Sequence, residues 1–342
     1  MPIRITDKKI SELQCDVSVD QVNGDGPAFD ELRAAAGAKY RTACEKHASM
    51  SIGSISFVQG FSLKSKYIAR IAAPVWRGGM FGEWELLASC YVSVLDAARD
   101  RRCKSIAFPL LSSGSLGFPA EGLMNTAMKA IGTYLNEHDM DVYVSVPVKT
   151  EYSMPSHMMS DLEGYISKAR ESEAALRATF ALSDKGLRAH SYAQTDNALF
   201  LTNPGAEHTP PEAKSIDTPR GLTDMLKDLD RGFADTLFYY IDKKGISDVE
   251  CYKRANVDKK TFSKIKCNRA YKPSKITAVS FAIALRLNLD ETDHLLNTVG
   301  MSLSRSSVFD VIIEYFITTG DYETIHDVNQ TLFQFDQVLL GC

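Results

Sequence analysis

A run of serines and glycines between two apolar segments has the composition of a phosphate-binding loop. Residues 106–111 form a short apolar run typical of a buried parallel strand, and a helical pattern begins at Ala120. A loop of this composition turns tightly and leaves backbone N–H groups free for an anion, and a helix N-terminus follows it. The predicted anion-binding residues are Ser112, Ser113, Gly114, Ser115, Leu116, Gly117 and Phe118.

A second glycine loop, residues 24–27, follows an early segment of alternating apolar residues. The alternation predicts a strand over residues 10–19, and residues 28–47 show helical periodicity broken at Gly37. Further strands are predicted at residues 52–59, 67–73 and 142–146, and helices at 83–99 and 120–135. Strands that alternate with helices predict an α/β fold with ligand loops at the carboxyl ends of the strands. We therefore expect an anion site in a crevice between the two loops.

Length and composition limit the class of protein. The chain has 342 residues, of which 44% are apolar and 24% charged, and this predicts a soluble protein of two domains. No apolar run is long enough to span a membrane, and the N-terminus has no signal-peptide pattern. The seven cysteines include no CxxC pair and the seven histidines form no cluster. We therefore expect a cytoplasmic protein with free thiols, no metal site and no resident cofactor.

Residues 1–167 resemble the macro domain, a three-layer α/β/α module that binds ADP-ribose and related nucleotides. The resemblance rests on CDVSVDQVNG (residues 15–24), on RIAAPVWRGG (residues 70–79) with the helix after it, and on SIAFPLLSSGSLGFP (residues 105–119). It implies that the glycine loop holds the distal ribose and a phosphate, and that the Ser/Gly loop wraps the diphosphate with N–H groups. The implied contacts add Ile10, Asp20, Asn23, Gly24 and Gly26 to the Ser/Gly loop.

The chain departs from the family pattern where adenine would bind. Family members usually carry an acidic residue for the adenine amino group at the position held here by Lys9, just before Ile10. That contact is missing unless Asp7 or Asp16 supplies it. The resemblance therefore implies weaker selectivity for adenine than in ordinary macro domains.

A second departure concerns catalysis. The family's Asn-Ala-Ala-Asn is Asp20-Gln21-Val22-Asn23 here, and the glycine loop after it is several residues shorter. Hydrolytic members carry an acidic residue in that loop, and Asp25 and Asp30 are nearby, but Phe29 aligns about as well. Asp20 and Asp30 also fit a strand-end turn and a helix N-terminus, where carboxylates are stabilising without any catalytic role. We identify no catalytic residue and expect binding to be retained.

A less regular stretch separates the two halves of the chain. The pattern of residues 162–182 is helical and is interpreted as the end of the first domain, which we place at residues 1–167. Residues 168–220 are predicted to be a partly helical linker, because proline and polar residues dominate after residue 183. The alternative is an ordered insertion that packs on the first domain, suggested by the apolar residues 198–201.

Residues 221–342 predict an all-α domain. Helical patterns cover residues 222–244, 248–255, 259–265, 274–287, 292–299, 308–318 and 325–335, with predicted N-caps at Ser247, Asp258, Ser274 and Asp290. Residues 247–296 resemble a phage-repressor (Xre-type) helix-turn-helix, with its turn at residues 256–258 and its second helix from Lys259. The whole layout is similar to a bacterial two-domain family in which a macro domain precedes this helical module.

Nine basic residues lie between Tyr252 and Lys275, and only Asp258 opposes them within that segment. In a chain of net charge −4, such a cluster indicates contact with a phosphate backbone. Basic runs are also common on solvated surfaces, and helix-turn-helix modules also bind proteins, so DNA and a protein partner are both considered. The predicted nucleic-acid contacts are Lys259, Lys260, Thr261, Ser263, Lys264, Lys266 and Arg269.

Three functions are compatible with these patterns. The first is a regulator that binds ADP-ribose or a related nucleotide and relays this state to DNA or a protein. The second is a hydrolase that removes ADP-ribose from protein or nucleic acid, and the third is an assembly protein with an empty pocket. The intact Ser/Gly loop disfavours the third, and the altered residues 20–23 disfavour the second. We therefore favour the regulator.

Overall fold

The computed structural model describes residues 3–45, 50–148, 158–172, 174–175 and 232–341. Its first part is built on a six-stranded sheet of order β1-β6-β5-β2-β4-β3, in which only the edge strand β3 runs antiparallel to its neighbour. The strands are β1 (Ile3–Thr6), β2 (Val17–Gln21), β3 (Ile55–Gln59), β4 (Tyr67–Ile71), β5 (Ser105–Pro109) and β6 (Asp141–Ser145).

Helices cover both faces of this sheet. They are α1 (Pro27–Ala36), α2 (Ala38–Glu45), α3 (Glu83–Asp100) and α4 (Ala120–Glu137). Helices α1 and α2 bury Leu32 and Tyr40 against one face, and α3 and α4 form a larger core with Phe108 on the other. Strand β2 is buried along its whole length, as expected for a central parallel strand. The predicted three-layer α/β/α fold is confirmed.

The strand predicted over residues 10–19 is wrong in its first half. Residues Ile10–Glu12 form a short 3-10 turn, and the strand begins only at Val17. Leu13 and Cys15 continue the alternating spacing of Val17 and Val19 because both are buried in the core beneath α1. The sequence analysis also missed β1, whose four residues are too few for alternation to be recognised.

The second part of the described chain is helical. Its helices are α5 (residues 158–172), α6 (Phe233–Lys244), α7 (Asp248–Arg254), α8 (Lys259–Cys267), α9 (Lys275–Ala284), α10 (Leu289–Asn297), α11 (Val308–Thr319) and α12 (Ile325–Gln334). Ser247, Asp258 and Ser274 cap α7, α8 and α9 as predicted. The cap of α10 is Asn288 and not Asp290, because Asn288 and Glu291 form a complete capping box.

Helix α5 belongs to the helical core. Leu162, Ile166 and Ala169 are buried there, and the ring of Tyr165 packs edge-on against Tyr315 at 5.5 Å. This segment therefore packs with the helical part of the chain, and the boundary predicted at residue 167 falls inside the helix. Most of the predicted linker, with residues 198–201, lies outside the described residues.

The two parts meet along the edge strand β1 and the C-terminal end of α4. Asn256, in the turn between α7 and α8, accepts a hydrogen bond from Ile3 N–H at 2.8 Å and donates one to Ile3 O at 3.0 Å. Lys253 Nζ donates to the last carbonyls of α4, at 3.0 Å to Leu135 and 2.8 Å to Asn136. A lysine is stabilising there because these carbonyls carry the negative end of the helix dipole.

A cleft of about 730 Å³ lies beside these contacts and is lined by both parts. His326 lies in this cleft with its ring near Gly132 of α4. Burial lowers the pKa of His326 to about 4, because the surrounding protein disfavours the charged ring. The histidine is therefore neutral at physiological pH.

Candidate nucleotide site

The fold brings the two predicted loops together at the carboxyl edge of the sheet. Strands β2 and β5 are neighbours at its centre, and their following connections leave toward opposite edges. In open α/β sheets such a switch point is where ligands bind. The glycine loop after β2 and the Ser/Gly loop after β5 therefore lie side by side, as expected from the sequence.

The Ser/Gly loop presents free backbone donors. The backbone is left-handed at Ser112, Gly114 and Gly117, with φ of +63°, +86° and +78°. This conformation favours glycine, which occupies two of the three positions. Among the described residues, the N–H groups of Gly114, Leu116 and Gly117 have no acceptor. Helix α4 starts two residues after Phe118, so its positive end lies next to these donors. This arrangement can bind an anion.

The glycine loop and the Ser/Gly loop touch each other. Asp25 N–H donates to Ser115 Oγ at 3.0 Å, and Ser115 N–H donates to Asp25 O at 3.4 Å. A Cβ on Gly114 would lie 2.3 Å from Asp25 O, and one on Gly26 would lie 3.7 Å from Ser113 O. The crevice predicted between the loops is therefore closed along these contacts, because the shortened glycine loop lies directly on its neighbour.

Two side-chain amides fix the start of the glycine loop. Asn23 pairs with the backbone of Ala73 after β4, donating to its carbonyl at 2.6 Å and accepting from its N–H at 2.8 Å. Gln21 accepts from Ser112 N–H at 2.6 Å, while its buried Nε2 has no partner among the described residues. A Cβ on Gly24 would lie 2.0 Å from that Nε2. Sequence reasoning gave no role to Gln21, although its position inside the altered family motif was a signal.

Asp20 does not face the loops. It is 1% exposed, and its carboxylate accepts from Arg33 Nε at 3.1 Å and from Tyr40 Oη at 2.5 Å. Burial raises the pKa of Asp20, although the Arg33 guanidinium and the Tyr40 hydroxyl oppose this. The nucleotide contact predicted for Asp20 is therefore replaced by a structural role beneath α1 and α2.

Arg33 braces the glycine loop from α1. Besides its bond to Asp20, its Nη2 donates to Gly24 O at 3.2 Å and to Gln21 O. One guanidinium thus holds the end of β2 and the first part of the loop. Sequence reasoning missed this residue, because an arginine in a helix carries no signal of what it will reach.

The other predicted contacts separate on the two edges of the sheet. Ile10 is 1% exposed in the core, so its side chain cannot contact a ligand. Asp16 lies at the opposite, amino edge, where it pairs with Lys66 at 2.6 Å and accepts from Lys104 N–H at 2.7 Å. Burial works against its charge, but these partners outweigh burial and hold the pKa of Asp16 below its usual value. Of the two acids considered for adenine, only Asp7 lies at the carboxyl edge, directly after β1.

An aromatic cluster supports the far end of the Ser/Gly loop. The rings of Trp76, Trp84 and Phe118 pack against one another with centroids 5.1 to 5.3 Å apart. Trp76 N–H also donates to Leu116 O at 2.9 Å. Phe118 is 8% exposed and belongs to this packing, so its predicted ligand contact is limited to the ring edge and backbone.

The helical domain presents the second predicted surface on α8. Lys259, Lys260 and Lys264 are exposed and form no ion pair with any described residue, and Ser263 is exposed as well. Thr261 is half-buried, and its hydroxyl donates to the capping carboxylate of Asp258 at 2.6 Å. Three lysines and one serine of the predicted set are therefore available to a partner on one helix.

Several of the remaining cations of the cluster are paired. Lys266 lies 2.6 Å from Asp248, and Arg269 lies 3.5 Å from Asp235. Lys275 pairs at 2.6 Å with Asp310, which is 3% exposed. Folding therefore brings acids from outside the segment onto the cluster, in addition to Asp258.

In the described part of the chain, no helix is both long and apolar enough to cross a bilayer. No three or more histidine, cysteine, aspartate or glutamate side chains are grouped there so as to hold a metal ion.

Comparison with known proteins identifies the first part of the chain. The family model described as Macro domain matches residues 21–127. A macro domain-containing protein from Methanosarcina mazei is 35% identical over 142 residues, which cover 40% of this chain and 76% of that protein. The chain belongs to the macro domain family. A second macro domain-containing protein, from Mesorhizobium japonicum, is 32% identical over 142 residues, covering 40% of this chain and 81% of that protein.

Solved structures include similar macro domains. The Oceanobacillus iheyensis macrodomain with ADP is 26% identical to this chain. The match covers 47% of this chain and 90% of the macrodomain, with a TM-score of 0.41. All three relatives cover less than half of the present chain.

Proposed function

We propose that this macro domain protein binds ADP-ribose or a related nucleotide with the diphosphate on the Ser112–Phe118 loop. The observation that carries the proposal is the set of free N–H groups at Gly114, Leu116 and Gly117 beside the start of α4. Hydrogen bonds to a charged group contribute about 1.5–3 kcal/mol each, so three such donors favour a phosphate strongly. Membership of the macro domain family supports ADP-ribose as the nucleotide.

The base has less specific support than the diphosphate. Asp7 is exposed at the carboxyl edge, and Lys9 follows it two residues later. A carboxylate accepts a hydrogen bond from the amino group of adenine, whereas a lysine ammonium has no acceptor to offer it. We therefore expect adenine to be preferred over other bases only weakly.

Calorimetry with ADP-ribose tests the site. Gly114→Glu should abolish binding, because the new side chain meets Asp25 O and adds a negative charge beside the donors. Gly53→Glu is the matched control: Gly53 has nearly the same φ, +80° against +86°, but open space around it. Unchanged affinity in Gly114→Glu, with binding also intact in the control, would show that the diphosphate lies elsewhere.

We also propose that the helical domain relays the nucleotide-bound state to nucleic acid through α8. Support comes from the exposed, unpaired lysines Lys259, Lys260 and Lys264 and from the contacts of the α7–α8 turn with β1. A relay requires that the nucleotide change DNA affinity and that DNA change nucleotide affinity by the same factor. The measurement is a titration of the full chain with duplex DNA, with and without ADP-ribose. If no salt-dependent binding occurs, an acidic protein becomes the partner to test.

A further inference from the structure

We propose that the site holds a nucleotide only as far as its diphosphate and that the joined loops exclude a second sugar from the space between them. The ligand class is then a nucleoside diphosphate, and any group beyond the diphosphate extends into solvent. This inference rests on the nucleotide binding proposed above. It concerns what the glycine loop does beside the free donors of the Ser/Gly loop.

The contacts between the loops form a continuous seam. Beside the paired bonds of Asp25 and Ser115, a Cβ on Gly24 would lie 3.3 Å from Leu116 Cγ. Gly26 lies against Ser113 O at the other end of the seam, where a Cβ added to Gly26 would be 3.7 Å from that oxygen. A sugar ring is several ångströms thick, so it cannot enter without breaking these contacts.

The glycine loop is also held against opening. Asn23 is paired through both amide atoms with the backbone of Ala73, and Arg33 donates to Gly24 O at 3.2 Å. Arg33 is in turn fixed by the buried carboxylate of Asp20 at 3.1 Å. The first residues of the loop and the strand before it are therefore both anchored. Opening the seam would break the bonds to Ser115, while the bonds of Asn23 and Arg33 would hold the loop in place.

The floor beneath the seam is closed too. Gln21 Nε2 is a buried donor without a partner among the described residues, and the backbone of Gly24 covers it. A sugar hydroxyl between the loops would be the natural acceptor for such a donor, but Gly24 occupies that place. A buried donor without a partner lowers stability. That Gly24 nevertheless covers this donor is consistent with a glycine loop that packs closely on the Ser/Gly loop.

The contacts predict similar affinities for ADP and ADP-ribose. A group that reaches solvent adds no contacts, so the affinities of the wild-type protein for ADP and ADP-ribose should agree within about threefold. AMP lacks the second phosphate and its hydrogen bonds, so it should bind more than about tenfold more weakly. Ser115→Ala removes the acceptor of Asp25 N–H and loosens the seam. This variant should prefer ADP-ribose over ADP by about fivefold, the equivalent of one hydrogen bond.

Calorimetry with ADP, ADP-ribose and AMP on the full chain provides the test, with Ser54→Ala as control. Ser54 loses a comparable hydroxyl bond, to Ser51 O, in a turn before β3, and should keep the wild-type ratio. Wild-type affinity for ADP-ribose more than about tenfold above that for ADP would overturn the inference and leave the proposed function standing. An unchanged ratio in Ser115→Ala would also overturn it. Binding of neither ADP nor ADP-ribose would instead reject the proposed function.

Discussion

The Ser/Gly loop and the basic helix α8 were both predicted as binding surfaces, and folding treats them differently. The loop keeps its donors: the N–H groups of Gly114, Leu116 and Gly117 have no acceptor among the described residues. The helix and the turn after it lose part of their charge, because Asp248 pairs with Lys266 and Asp235 with Arg269. Backbone donors depend on local conformation, whereas side-chain charges depend on whichever acids the fold brings near. A loop motif therefore survives folding better than a charge cluster.

The largest expected effect concerns chemistry at the loop. Hydrolysis of protein-linked ADP-ribose should be absent, because Asp20 is paired with Arg33 and both amide atoms of Asn23 are used by Ala73. A positioned acid or base typically contributes about 10²–10⁴-fold to a rate, and neither Asp20 nor Asn23 is free to supply it. The measurement is release of ADP-ribose from a modified protein. Turnover that disappears in Asn23→Ala would show that these side chains act on water after all.

The next effect separates free from paired lysines on α8. Replacing Lys260 and Lys264 by Ala should reduce the slope of log K for duplex DNA against log salt by about 1.8, since each lost phosphate contact removes about 0.9. Lys266→Ala is the matched control on the same helix, because Asp248 already holds Lys266 at 2.6 Å. Lys266→Ala should change the slope by less than the roughly 0.9 expected for one phosphate contact. If the slope changes equally per lysine for Lys266 and for Lys260 and Lys264, the free and the ion-paired lysines do not differ in their contact with DNA.

The contact between the two parts should contribute to stability. Asn256→Ala removes both hydrogen bonds to Ile3, which should lower the free energy of unfolding by about 1–3 kcal/mol. Asn297→Ala, at the exposed end of α10, is the control and should change stability little. The measurement is urea unfolding of the full chain. Equal effects of the two substitutions would mean that Asn256 does not join the parts.

The smallest expected effect is a dependence of stability on pH. Because the pKa of His326 is about 4 in the folded chain against 6.5 when unfolded, the unfolded chain binds a proton first as pH falls. Stability should therefore be full above pH 6.5 and decrease toward pH 4, by up to about 1.4 kcal/mol per pH unit from this residue. His326→Gln should flatten that part of the profile. A profile identical to wild type would assign the acid sensitivity to other groups.

The sequence predicted the fold and the place of the loops better than it predicted their contacts. The apolar run of β5 and the glycines after it are local signals, and they located the Ser/Gly loop correctly. The contact of Gln21 could not be recognised from local signals, because its partner Ser112 lies 91 residues away. The same holds for Lys266, whose neutralisation by Asp248 depends on how α7 packs beside α8. Long-range pairing of side chains is therefore what sequence patterns left out.

The bonds between Asn256 and Ile3 also bear on how the chain is made. Strand β1 lies at the edge of the sheet, and an open strand edge can pair with another molecule and lead to aggregation. Asn256 occupies the outward N–H and carbonyl of Ile3, but it lies 253 residues further along the chain. A ribosome making about 5–20 residues per second therefore leaves Ile3 without these two bonds for tens of seconds. A chain truncated before Asn256 lacks them permanently, and we expect it to associate more than the full chain as its concentration rises.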